Sequence, residues 1–375
     1  MRVVLWSQHL LGTGHLRRSE RLAEALTELG AEVVLVNGGP ALPPPPGLAY
    51  ERVDLPAIQS ADAAFSALVD GTGAPVTDAL WQARAARLDA VLAAPVDAFV
   101  VELFPFGRRA FARELLPVLA ALGRRRPRPS RVVSLRDVLV TGRKPGRAEE
   151  AVARFDAHFE QVMVHGDPRL IPLEASFPLT AAIADRLTYT GYVVPPLPEP
   201  QPGRGVLVSA GGGAVGAALV EAALAAAAQL GDALGPWTVI AGRNFPEARF
   251  RALAAMRPAA VALLRHVDDL PERLARTAVS VSQAGYNTVA EALALRRPMV
   301  LVPFAAGNET EQTRRAEAVA ARGAATVLAE ADLDGLGLAA AIAARAVQPY
   351  PDLQVDLEGA ANGAKLIGDA VGGRR

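Results

Sequence analysis

The chain has 375 residues with 39 basic and 39 acidic side chains, so it carries no net charge, and 51% of it is apolar. No global field draws such a chain to nucleic acid or to an anionic membrane, while its length and apolar content suffice for two cores. It contains no cysteine, which excludes disulfides, thiolate zinc sites and a cysteine nucleophile and fits a reducing cytoplasm. Its basic residues are nearly all arginine and its small ones mostly alanine, a bias that reads as genomic composition rather than function.

The opening Met1-Arg2-Val3-Val4-Leu5-Trp6-Ser7-Gln8-His9 turns polar too soon for a signal peptide. No uncharged apolar run reaches the roughly 18 residues of a membrane span. The longest, Ala222 to Leu230, reads as a soluble helix, and weak peripheral membrane contact stays open. Short Val/Leu runs then alternate with helical patterns. Strands are predicted at Val3–Trp6, Glu32–Val36, Asp97–Val101, Arg131–Leu135 and Gln161–Val164. Helices are predicted near His15–Leu29, Asp78–Ala93, Arg108–Leu122 and Ala148–Phe155. Such alternation gives a parallel sheet covered on both faces. The proline-dense stretch 195–203 forbids helix and central strand and reads as a stiff linker.

A second series follows over 204–350. Its predicted strands are Val206–Ser209, Trp237–Ala241, Val261–Leu264, Val279–Ser282, Met299–Pro303 and Ala325–Leu328, with helices near Val215–Leu230, Thr288–Leu295 and Glu309–Arg322. A last segment, 351–375, holds a helix at Gly359–Val371 expected to pack back on the first domain, 1–194. The fold class is therefore α/β: two Rossmann-like, doubly wound parallel-sheet domains facing a cleft, where open α/β sheets bind ligands.

The richest stretch is Ser282-Gln283-Ala284-Gly285-Tyr286-Asn287-Thr288-Val289-Ala290-Glu291, followed by strand Met299–Pro303 and the pair Glu311-Gln312. A glycine turn, small polar residues at a helix start, a carboxylate one turn in and an acid–amide pair suit a nucleotide sugar. Backbone N–H groups take the diphosphate, Glu291 the two ribose hydroxyls, and Glu311 and Gln312 the sugar hydroxyls. Glu291 also reads as half of a capping box with Thr288. The turn Gly211, Gly212, Gly213, Ala214 follows a strand and opens a helix, as an anion-binding loop does. In the first domain Gly12-Thr13-Gly14-His15 has Arg17 where a dinucleotide fingerprint needs glycine, which disfavours NAD. It sets His15 at a helix start, as a neutral proton acceptor or as a cap. Glu102, at a strand end, is a candidate to fix the His15 tautomer or a solvated loop acid, and Asp137 is its rival. No cluster has metal-ligand spacing, and Asp268-Asp269 reads as a helix start.

Together these residues resemble the GT-B glycosyltransferases, nearest the MurG-like group with its glycosyltransferase family 28 C-terminal region. Gln8-His9-Leu10-Leu11-Gly12-Thr13-Gly14-His15-Leu16-Arg17-Arg18 is similar to the start of a bacterial set of predicted glycosyltransferases. By that resemblance Gly211–Ala214 is the diphosphate loop, and His266 and Val267 line the base pocket. Gln283 stands before the phosphate turn formed by Gly285, Asn287 and Thr288. Glu291 binds ribose, and Glu311 and Gln312 bind the donor sugar. His15 is the acceptor-activating base, with Glu102 as its partner, and Gly12 and Gly14 lie on the acceptor side. Gln283 stands where plant-type relatives carry a histidine, and Gly213 where MurG carries serine.

The resemblance implies an inverting, metal-independent transferase of a UDP-sugar, with no cofactor, moving a hexose to an acceptor that is small or lipid-linked. A nucleotide-sugar hydrolase and a UDP-sugar 2-epimerase share the donor residues. The expected location is the cytoplasm, with no nucleic-acid partner.

Overall fold

The computed structural model of the chain describes residues 1–45, 47–62, 65–140, 145–212, 215–304 and 310–373. It divides into two compact units, Met1–Val193 with Asp356–Arg375, and Val194–Val355.

The first unit runs β1 (Arg2–Ser7), α1 (Gly14–Glu28), β2 (Glu32–Asn37), β3 (Glu51–Asp54), a hairpin of β4 (Ile58–Ser60) and β5 (Leu68–Asp70), α2 (Asp78–Leu92), β6 (Ala98–Glu102), α3 (Ala112–Arg124), β7 (Ser130–Arg136), α4 (Arg147–His158), β8 (Gln161–His165) and β9 (Leu187–Tyr189). Its main sheet is parallel in the order β3-β2-β1-β6-β7-β8-β9. Successive side chains point to opposite faces. Val4, Trp6, Phe99 and Val101 therefore join the core under α2, α3 and α4, while Val3, Leu5, Ala98 and Val100 join the core under α1. The predicted helix over Arg108–Leu122 is broken: Arg108 takes a left-handed φ of 54°, a single 3₁₀ turn follows, and α3 starts only at Ala112.

The second unit runs β10 (Val206–Ser209), α5 (Ala217–Leu230), β11 (Trp237–Ile240), α6 (Glu247–Met256), β12 (Val261–Leu264), α7 (Leu270–Leu274), β13 (Val279–Ser282), α8 (Tyr286–Ala294), β14 (Met299–Leu301), α9 (Glu311–Ala321), β15 (Ala325–Val327) and α10 (Gly335–Val347). Its sheet is parallel in the order β12-β11-β10-β13-β14-β15. The proline stretch has no helix or strand. Its end is pinned to the second unit, where the Gln201 N–H donates to Ala275 O at 2.9 Å and Arg297 Nη2 donates to Gln201 O at 2.7 Å.

The last helix, α11 (Gly359–Gly372), belongs to the first unit. Ala364, Ile367 and Val371 enter the core beneath α1 beside Leu16, Leu22 and Leu26. Polar ties hold it there: the Asp356 N–H donates to Asp167 Oδ2 at 2.8 Å, Asn362 Nδ2 to Thr190 O at 2.9 Å, and Ser130 Oγ to Ala370 O at 2.9 Å. Beneath it, fully buried His165 bridges Ser134 and Thr190, and burial holds its pKa down to about 3.

Candidate functional site

In the first sheet the chain leaves β1 toward β2 and β3 on one side, then returns to β6 and continues the other way. Loops at the strand C-termini diverge at that reversal, the usual place for a ligand in an open α/β sheet. His15, the second residue of α1, and Glu102, the last of β6, meet there. His15 Nδ1 lies 2.7 Å from Glu102 Oε1, and Arg18, one helical turn on, donates its Nη2 to the same oxygen at 2.6 Å. An ionised carboxylate only accepts, so the imidazole proton is on Nδ1. Nε2 then carries a lone pair, and among the described residues no hydrogen bond occupies it. The His15 side chain is 15% exposed and Glu102 2%. Burial lowers the His15 pKa to about 4; Glu102 opposes this, while Arg108 and Arg136 add to it. Burial alone raises Glu102, but His15, Arg18 and Arg108 outweigh it and hold the carboxyl at about 2. At neutral pH the pair is a neutral imidazole on a carboxylate.

Asp137 is not the partner of His15: it accepts from the Val138 N–H and from the Tyr192 hydroxyl. Gly14 opens α1 after Thr13, which makes no side-chain cap, and Gly12 has open space where a side chain would stand. Arg108 Nε donates to Gln8 O at 2.8 Å, tying the loop after β6 to the loop before His15.

The second sheet reverses between β10 and β13. Gly211, with φ 62°, and Gly212 follow β10; Gly213 and Ala214 lie outside the described residues. Gln283, after β13, reaches this turn, with its Nε2 3.4 Å from Val215 O and its Oε1 3.7 Å from where a Gly211 Cβ would stand. Gly285 is the N-cap of α8, so Asn287 and Thr288 lie inside its first turn, two residues earlier than predicted, and the capping-box reading of Thr288 and Glu291 does not hold. The first N–H groups of a helix have no partner within it. Glu291, buried, follows Asn287 by one turn on the same helix face. His266 and Val267 follow β12 at the same sheet edge, where His266 Nε2 is 2.9 Å from Asp268 Oδ1. Gln312 Oε1 accepts from the Phe304 N–H at 2.8 Å, and the Glu311 carboxylate accepts from Arg315 Nη2 at 2.7 Å. Among the described residues no group of acids and histidines could hold a metal ion.

Arg18, Arg108 and Arg315 complete these arrangements without having been singled out from the sequence. Arg18 and Arg315 had a readable signal, standing three residues after His15 and four after Glu311 on the same helix faces.

A model of the glycosyltransferase family 28 C-terminal domain matches residues 207–357. The UDP-N-acetylglucosamine--N-acetylmuramyl-(pentapeptide) pyrophosphoryl-undecaprenol N-acetylglucosamine transferase of Rhodospirillum centenum is 38% identical over 107 residues, 28% of this chain and 28% of that one. The enzyme of the same name from Rhodopseudomonas palustris (strain BisB18) is 33% identical over 141 residues, 37% of this chain and 38% of that one. The chain thus matches these curated relatives over less than two fifths of their length. The likeness of fold extends further. The structure of Acinetobacter baumannii MurG superposes with a TM-score of 0.56 at 18% identity, covering 97% of this chain and 94% of that one. That of LpCGTa in complex with UDP gives 0.61 at 16%, covering 99% and 94%. Residues 207–357 thus match the glycosyltransferase family 28 C-terminal domain, and the two parallel-sheet units have the GT-B fold.

Proposed function

We propose that the protein is an inverting, metal-independent glycosyltransferase that takes its sugar from a UDP-sugar. The observation that carries the reading is the His15–Glu102 pair, a neutral imidazole whose tautomer is set by a buried carboxylate and whose Nε2 stands ready to accept a proton. His15 would take the acceptor's proton as its oxygen attacks the anomeric carbon, help worth about 10²–10⁴-fold. Glu102 is a positioning residue that stabilises the imidazolium as it forms.

The second unit would hold the donor. The N–H groups at Gly211 and Gly212 and at the start of α8 suit the diphosphate, and their positive dipole end stabilises the departing UDP. Gln283 stands between those two turns. His266 and Val267 line the base, and Gln312 meets the sugar hydroxyls. The relatives named above are UDP-N-acetylglucosamine transferases acting on a pyrophosphoryl-undecaprenol acceptor, which makes UDP-N-acetylglucosamine the first donor to try and a lipid-linked acceptor one class to offer. We assign the protein to the cytoplasm; no helix among the described residues is long and apolar enough to cross a membrane.

NMR of the products formed from a panel of UDP-sugars and acceptors tests the reading. Transfer requires UDP release that an acceptor accelerates. Free sugar released at a rate no acceptor improves is hydrolysis, and a changed sugar still on UDP is epimerisation; either overturns transfer. Glu291 is assigned to the vicinal ribose hydroxyls. Glu291→Ala is expected to weaken UDP about ten- to hundredfold, the worth of hydrogen bonds to a charged group, and to change dTDP far less, because dTDP lacks the 2′-hydroxyl. Calorimetric titration of both nucleotides decides it: an unaltered UDP affinity removes the ribose assignment.

A further inference from the structure

The turn into α8 contains an unusual residue. Ala284 is fully buried and has a φ of 62°, a left-handed conformation that residues with a side chain seldom adopt and keep only where their surroundings hold it. The holder is Arg315 on α9. Its Nη1 donates to the Ala284 carbonyl at 2.8 Å and its Nη2 to the Glu311 carboxylate at 2.7 Å. Its guanidinium carbon lies 5.7 Å from the centre of the Tyr286 ring. The Arg315 side chain has no solvent exposure, so solvent screens these contacts little. One cation thus touches the residue before the N-cap Gly285 and the first residue of the helix.

We propose that Arg315 is a positioning residue for the donor's diphosphate: it fixes the Ala284 turn and thereby the direction of the unpaired N–H groups that open α8. The inference rests on reading that helix start as the diphosphate end of the site. It gives Glu311 a different task from its neighbour. The Glu311 carboxylate orients Arg315, and Gln312 is the member of the pair that serves the sugar. A lysine at position 315 keeps the charge beside Glu311 but lacks the planar fork that reaches two oxygens at once.

Two measurements on the full chain test this. The first needs no ligand. The Val289 N–H closes the first turn of α8 on Gly285 O at 3.1 Å. In Arg315→Lys its hydrogen exchange should quicken by about tenfold or more while β13 and β14 keep their protection, because local opening is confined to the released turn. The second compares UDP with uridine by calorimetry. Arg315→Lys should weaken UDP about tenfold and leave uridine unchanged, since only the diphosphate uses the turn. Adding Ala284→Gly, which removes the left-handed penalty, should recover most of that loss. Should Arg315→Lys fail to fold, Glu311→Gln, which keeps an acceptor for Arg315, should show the same split at smaller size. Unchanged exchange at Val289, or equal loss of UDP and uridine, overturns the proposal. If the unaltered protein binds neither ligand, the donor-site reading fails, and exchange at Val289 alone decides whether Arg315 holds the turn.

Discussion

His15→Ala is expected to lower kcat by about 10²–10⁴-fold, the usual worth of a positioned general base, with UDP affinity close to that of the unaltered protein. The two effects separate because the residues assigned to UDP all lie in the second unit, whereas His15 lies in the first. The variant should also fold. Arg18 donates to the same Glu102 oxygen as His15 does, so the buried carboxylate keeps a partner when the imidazole is removed. Steady-state rates with the donor found by product NMR, set beside UDP titrations, check it. Loss of rate and of UDP affinity in equal measure would make the histidine structural.

The same site predicts a pH profile. With a folded-state pKa held from 6.5 down to about 4, first by burial and then by Arg108 and Arg136, His15 stays a base well below the range of an exposed histidine. Protonation removes the lone pair on Nε2, so kcat/KM should be flat from neutral pH downward and fall only as pH drops through about 4. The profile of kcat/KM reports the free enzyme. An acidic limb near 6.5, traced to His15 by its absence in His15→Ala, would mean that water reaches the imidazole freely.

What could be read from the sequence follows from which face of each segment is buried. Strands such as Val206–Ser209 and Val279–Ser282 end where the Val/Leu runs predicted, because runs in the middle of a parallel sheet are covered on both sides. The residues at their C-termini were legible as site candidates for the same reason. β3 was not: in Glu51–Asp54 only Val53 is buried, and the rest of this edge strand is polar. α10 begins Gly335-Leu336-Gly337, which argues against a helix by propensity. Its first glycine is there for packing, since a Cβ on Gly335 would stand 2.5 Å from the Ala225 Cβ of α5. The arginines show the limit most clearly. Their abundance reads as composition bias, yet Arg18, Arg84, Arg131 and Arg315 are buried and each holds a carboxylate. Nothing local in the sequence tells Arg84 and Arg131 from the exposed majority, because their partners are 30 and 29 residues away.

Arg84→Met is expected to destabilise the first unit by about 3–5 kcal/mol, the usual result of removing one member of a buried ion pair. Arg84 has no solvent exposure and makes five hydrogen bonds: two to Glu114 at 2.6 and 3.1 Å, and one each to Gln8 Oε1 at 3.0 Å, Gly38 O at 2.8 Å and Pro56 O at 2.7 Å. Its guanidinium also lies 5.7 and 5.5 Å from the Trp81 and Phe111 ring centres. The fit is close: a Cβ on Gly38 would stand 2.1 Å from Gln8 Oε1 and 2.7 Å from Arg84 Nη2. Methionine fills the volume but leaves Glu114 with only the Trp6 indole N–H, at 3.0 Å, among these partners. Urea unfolding followed by fluorescence reports the loss, since Trp6 and Trp81, two of the three tryptophans, border the network. The double change Arg84→Met with Glu114→Leu removes both charges and should recover much of the stability, as apolar replacements of whole buried pairs do. It should not recover the rate. Gln8 ends the run from β1 toward His15 and keeps its bonds to His9 O and Ile58 O, but it loses the one that orients its amide oxygen. A double variant as unstable as the single one, or one whose kcat returns together with its stability, would mean that the pair serves neither the packing nor the placement argued for it.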